Sequence, residues 1–177
     1  MKFVNAKHHL VLYPISNKRS EVNFSIIHTD VWGPSQVTCL SGARWFISFI
    51  DDCNRTTWAH LLEGKYETML ILQNFCKIIQ TQFGVQIWVI RSDNGIEYFN
   101  ESLSTFFTQN GIIDQSTCVD TPQQNGVAER KNRPLLEVAR ALTFRNVPMT
   151  FWGDAILYSN LFNESYAFKS PWLQNSH

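Results

Sequence analysis

No stretch of this 177-residue sequence approaches the ~20 apolar residues that a membrane-spanning helix needs. The first residues, "MKFVNAKHHLVLYP", hold no apolar core long enough for a signal peptide. Cysteine is scarce, with four residues at 39, 53, 76 and 118 and no C-x-x-C pair among them. That spacing suggests neither zinc nor a disulfide framework, and a reducing compartment is the expectation. An excess of one charge is also lacking, since fifteen Lys and Arg balance fifteen Asp and Glu. This excludes the strongly cationic surface of a protein that coats nucleic acid, but it leaves room for a local basic stripe. Repeats and low-complexity tracts are missing as well.

What is present is apolar and aromatic mass: 44% hydrophobic residues, with six Trp and thirteen Phe. That composition predicts one ordinary domain with a packed core, in a chain too short for two. Residues 1–23 are mostly polar and read as an arm. "FSIIHTDVW", "RWFISFIDD" and "TTWAHLLE" then predict three strands of an antiparallel meander, separated by Gly33-Pro34, the Ser41-Gly42 turn signal and the turn from Asp52 to Arg55.

From Glu67 the period changes. Leu72, Phe75, Ile79 and Phe83 recur at helical spacing, and Gly84 is a good stop. "VQIWVIRSD" predicts the next strand, "ESLSTFFTQNG" a helix and "IIDQSTCV" a short strand. "LLEVARALTF", with Leu135, Val138 and Leu142, predicts another helix, and a last amphipathic piece runs from about Thr150 to Phe168. The order β-β-β-α-β-α-β-α-α predicts an α/β fold with a mixed five-stranded sheet: an antiparallel meander plus parallel strands, and helices on both faces. The expected division is an arm over 1–23, a core over 24–147, and a C-terminal helix with a divergent tail over 148–177.

Three acids stand in unusual places. Asp30 interrupts a strand between Ile27 and Trp32, where Asp is depleted, and its bland reading is a solvated edge. Asp93 ends the fourth strand in "IRSDNGIEY", and Asp-Asn-Gly is also a good turn. Glu129 lies in "TPQQNGVAERKNR", where an acid near a helix N-terminus with Arg133 at i+4 needs no further role. If strands one and four are neighbours, the three acids meet above the sheet. Three carboxylates together repel, and hard divalent cations such as Mg²⁺ relieve that repulsion. Two such ions about 3.5–4 Å apart serve a phosphodiester displacement.

The segments "IHTDVWGP", "RWFISFIDD", "TQFGV", "IRSDNGIEYFN", "TPQQNGVAERKNRPLLEVARAL" and "FWGDAI" resemble the integrase catalytic core of copia-type LTR retrotransposons. The likeness runs from about Asn17 to Ile156 and implies a ribonuclease H-like fold. Position by position, it implies that Asp30, Asp93 and Glu129 are the catalytic, metal-binding triad, holding two Mg²⁺ (or Mn²⁺) ions. It implies a mobile loop at Asn125 and Gly126, and a DNA-facing side with Arg130, Lys131, Asn132 and Arg133. Arg140 and Arg145 extend the phosphate contacts, while His28, Thr29 and Asn94 flank the site. Asp51 and Asp52 match a motif outside the triad.

The implied activity is DNA integration. A metal-activated water nicks near the 3′ end of element DNA, and the freed 3′-hydroxyl attacks a target phosphodiester in line. The implied partners are element-end and target DNA and further copies of the chain, with no membrane. The implied place of action is the nucleus, after synthesis in the cytoplasm.

Three departures temper this expectation. The family's upstream zinc module ends in a Cys near the position of Phe3, so no zinc is expected here, and His8 and His9 read as solvated. Pro134, five residues after Glu129, predicts either a kinked helix or a helix that starts near 133. Beyond "FWGDAI" the likeness fades, as in a fragment or decayed copy of a longer polyprotein. Two alternatives therefore stay open: a catalytically silent relic that binds DNA or self-associates, and a generic ribonuclease H-like nuclease.

Overall fold

The computed structural model describes residues 19–93, 95, 97, 98, 101–116 and 126–167, with backbone alone at 116, 142, 143 and 162–167. The expectations for His8, His9, Asn94, Asn125, the Leu142 side chain and the tail beyond 167 lie outside the described residues. Five strands form in the expected order: β1 (Ile26–Trp32), β2 (Trp45–Asp51), β3 (Thr57–Leu62), β4 (Val89–Ser92) and β5 (Ile113–Ser116). They make one sheet in the order β3-β2-β1-β4-β5. The first three pair antiparallel, and β4 pairs parallel with both β1 and β5. Asp30 is therefore on the central strand, so the solvated-edge reading fails.

Among the described residues four α-helices cover the sheet: α1 (Thr68–Phe83), α2 (Glu101–Gln109), α3 (Gly126–Phe144) and α4 (Trp152–Ala167). Side chains alternate across each strand, so one strand feeds two cores. On one side Ile27, Ile47 and Phe49 pack with Leu72, Phe75 and Ile79 of α1 and Leu103 and Phe107 of α2. Phe49 and Phe75 lie face to face, 4.2 Å between ring centroids and 8° apart in plane. On the other side Phe46 and Trp32 pack with Leu135 of α3 and Trp152 and Ile156 of α4. Asp30 shares the parity of Trp32, which directs it toward α3.

Helix α1 ends as its spacing predicts. Gly84 adopts φ +67°, which a side chain would strain, and its N–H donates to the Gln80 carbonyl at 3.0 Å. Two apolar residues with helical spacing fall outside the core. Phe83 is 48% exposed although it lies against Phe24, and Val138 is 40% exposed. A further correction concerns α3, which begins at Gly126 and runs through Pro134. The late start near 133 does not occur, and Glu129 stands in the first turn of the helix. Among the described residues no helix is long and apolar enough to cross a membrane.

Candidate active site

The parallel pairing of β1 with β4 ends at His28 opposite Arg91. Two residues further along each strand stand Asp30 and Asp93, so the two acids leave neighbouring central strands at the same level. Reactive groups gather at this end of parallel strands because the loops depart there and leave the strand ends accessible. Both carboxylates are partly exposed. Asp93 Oδ1 accepts the Gly95 N–H at 3.1 Å, which turns the chain directly after the strand.

Helix α3 reaches the same place from the other direction. Asn132 is 3% exposed, and its Nδ2 donates to Asp30 Oδ2 at 2.8 Å, across 102 positions of sequence. Ala128, Asn132 and Leu135 form the inward line of the helix at steps of four and three. Glu129 is adjacent to that line and exposed. Asn132, expected on the DNA-facing side, is 3% exposed and lies on the inward line of α3, where its amide nitrogen donates to Asp30. Arg130, Arg133, Arg140 and Arg145 are exposed, and Gly126 and Lys131 are half-buried. The spacing of 128, 132 and 135 could have marked Asn132 as inward from the sequence.

Among the described residues no three His, Cys, Asp or Glu side chains converge as a ready metal cluster. The chemistry of the donor set nevertheless fits a hard divalent cation. Asp30 and Asp93 offer carboxylate oxygens at one strand level, and α3 carries Glu129 one turn from the residue that touches Asp30. Asn132 Oδ1 is buried with no hydrogen-bond partner among the described residues.

The surroundings are built with polar ties that periodicity does not reveal. The Tyr98 hydroxyl lies 3.0 Å from Thr29 Oγ1, and Lys65 Nζ donates to Glu97 Oε1 at 2.9 Å. Burial pushes the Tyr98 phenol well above its usual pKa range. The Thr29 hydrogen bond opposes that shift, and the charges of Asp30, Asp93 and Glu97 add to it.

At the other end of β1, His28 Nε2 and Asp52 Oδ1 are 2.8 Å apart, and Arg55 pairs with the same oxygen at 3.0 Å. Burial works to raise the Asp52 pKa. The His28 bond, the Ser20 N–H and Arg55 outweigh it, and the net shift is downward. Asp51 and Asp52 are thus structural, holding the chain before β1 through Phe24 and Ser20.

No family model matches the sequence. Among curated proteins, it is 34% identical over 151 residues to the retrovirus-related Pol polyprotein from transposon TNT 1-94 of Nicotiana tabacum, covering 85% of this chain and 11% of the relative. It is 33% identical over 147 residues to the truncated transposon Ty1-A Gag-Pol polyprotein of Saccharomyces cerevisiae, covering 81% of this chain and 12% of that one. Among solved structures, a chain of the simian T-cell lymphotropic virus intasome in complex with PP2A regulatory subunit B56 gamma superposes with a TM-score of 0.62. The identity is 17%, with 81% of this chain and 49% of that chain covered.

The fold is therefore the integrase-core, ribonuclease H-like one. By sequence the chain belongs with the Pol polyproteins of retrotransposons, as the resemblance implied, and it spans about a tenth of the length of the curated relatives it matches.

Proposed function

We propose that the chain is the catalytic core of a DNA-integration reaction in a copia-type element. The chemistry would be metal-dependent polynucleotidyl transfer: 3′-end processing followed by strand transfer. The observation that carries this reading is the convergence on one strand level of Asp30 on β1 and Asp93 after β4, with α3 docked onto Asp30 through Asn132. In this reading Asp30, Asp93 and Glu129 hold two Mg²⁺ or Mn²⁺ ions, which supply Lewis-acid activation of one oxygen and stabilisation of the leaving one.

The protein side of the reaction is positioning. Asn132 helps to fix the rotamer of Asp30 by donating to one of its oxygens. Arg130 and Arg133, exposed beside Glu129, meet backbone phosphates together with Lys131 and the backbone at Gly126. Arg140 and Arg145 extend that row toward the end of α3. No Ser or Cys nucleophile is required, because the attacking oxygen comes from water or from the DNA 3′ end. The partners are element-end and target DNA and further copies of the chain, and the reaction is nuclear.

The test is strand transfer from a labelled, hydroxyl-terminated DNA end with Mn²⁺ or Mg²⁺, comparing the chain with Asp93→Asn. The expected result is joined product from the unmodified chain and a loss of at least a hundredfold in the variant. Equal signals from both would sink the proposal. A second reading, DNA retention without cutting, is favoured by the lack of a ready three-ligand cluster among the described residues. Metal-independent, salt-sensitive DNA binding without any product would support it.

A further inference from the structure

Of the residues between β4 and α2, Asp93, Gly95, Glu97 and Tyr98 are described, and a polar tie holds each of the last two. Tyr98 is 3% exposed, and its hydroxyl meets Thr29, itself 0% exposed and the chain neighbour of Asp30. Glu97 accepts from Lys65, in the short 3-10 turn after β3, and Lys65 lies 5.0 Å over the Trp45 ring. Within the loop the Tyr98 N–H donates to the Gly95 carbonyl at 3.0 Å, and the Gly95 N–H donates to Asp93. A chain of bonds therefore runs from Asp93 through Gly95 and Tyr98 to Thr29.

The hydroxyl is not needed to fill space. Tyr98 belongs to the apolar cluster of Ile27, Ile90, Leu103 and Phe107, where a phenyl ring alone would pack as well. Burying a hydroxyl there is costly unless it is bonded, and here two buried hydroxyls satisfy each other. Their bond stitches the loop to β1 one residue from Asp30.

We propose that Tyr98 is a positioning residue for the divalent-cation site: its bond to Thr29 pins the loop and fixes Asp93 beside Asp30. This rests on the reading of Asp30 and Asp93 as cation ligands. Residues that orient metal ligands typically change metal affinity by roughly 10–100-fold when altered. Tyr98→Phe removes only the oxygen and keeps the ring.

The experiment titrates Mn²⁺ into the metal-free chain and reads free Mn²⁺ by electron paramagnetic resonance, with thermal midpoints measured in parallel. Tyr98→Phe is expected to bind Mn²⁺ about tenfold more weakly. Phe75→Leu, a core change on α1 that leaves the Tyr98–Thr29 bond in place, is expected to lower the thermal midpoint while leaving Mn²⁺ affinity unchanged. Asp30→Asn is expected to abolish the binding.

Wild-type affinity in Tyr98→Phe would overturn the positioning role and leave the cation site standing. Loss of affinity in Phe75→Leu as large as that in Tyr98→Phe would also overturn it, because general destabilisation would then suffice. If the unmodified chain takes up no Mn²⁺, or if its uptake survives Asp30→Asn, the cation reading itself fails and this inference falls with it.

Discussion

His28 is 1% exposed, and its Nδ1 has no hydrogen-bond partner among the described residues. With Asp52 ionised, the proton of their shared bond sits on Nε2, and the ring is neutral. A second proton would place an N–H at Nδ1 facing no acceptor among the described residues. Burial accordingly lowers the His28 pKa. Asp52 opposes that shift only in part, and the charges of Arg91 and Arg55 add to it. The sign of the pH effect follows. Above about pH 6.5 neither folded nor unfolded chain protonates this ring. Below it the unfolded chain takes a proton that the folded chain refuses, so stability falls with pH, at most about 1.4 kcal/mol per unit for one proton. Urea unfolding midpoints from pH 8 to pH 5 should show this fall. His28→Gln, which keeps a donor for Asp52 but does not titrate, should flatten it. What then remains includes the contribution of His60, which burial shifts in the same direction, and of Asp51 and Asp114, whose pKa values burial raises and which act with the opposite sign.

Helix α3 carries Pro134 in its interior, and proline there has no N–H for the Arg130 carbonyl one turn back. The helix persists because packing holds it: Ala128, Asn132 and Leu135 are buried along one line. An interior proline costs about 3 kcal/mol relative to alanine in a helix. Pro134→Ala, at an exposed position, should therefore stabilise the chain by about 1–3 kcal/mol. In a chain of this size each kcal/mol is worth roughly 2–4 °C in the thermal midpoint, which a melting curve would register. The same helix shows how far local reading of the sequence goes. Periodicity located all five strands and four helices in order, because burial of one face leaves a regular trace. Of the two outcomes that Pro134 left open, a kinked helix and a start near 133, the second does not occur, because tertiary packing outweighs the local breaker. The resemblance, and not periodicity, put Asn132 on the DNA-facing side, whereas the structure buries it. The contact with Asp30 spans 102 positions, and pairings such as Tyr98 with Thr29 leave no period to read.

The molecule as a whole is electrically neutral, fifteen against fifteen. Any hold on DNA must therefore come from how charge is placed, and Arg130, Arg133, Arg140 and Arg145 are all exposed along or just beyond α3. Phosphate contacts release counterions, so affinity should fall steeply with salt. Measured by fluorescence anisotropy between low and moderate salt, the double variant Arg130→Ala, Arg133→Ala should reduce the slope of log K against log salt by about 2. An unchanged slope would place the DNA elsewhere on the surface.

The sheet order has one more consequence. Asp30, on β1, and Asp93, just after β4, are 63 positions apart (93 − 30) and are brought together only when α1 has crossed over and β4 has docked beside β1. Such a distant parallel pairing forms slowly, because the connecting chain must be ordered before the contact rewards it. A partly made or partly folded polypeptide thus keeps Asp30 and Asp93 apart. On the proposed reading, a cation site built on these two acids would arrive only with the finished sheet.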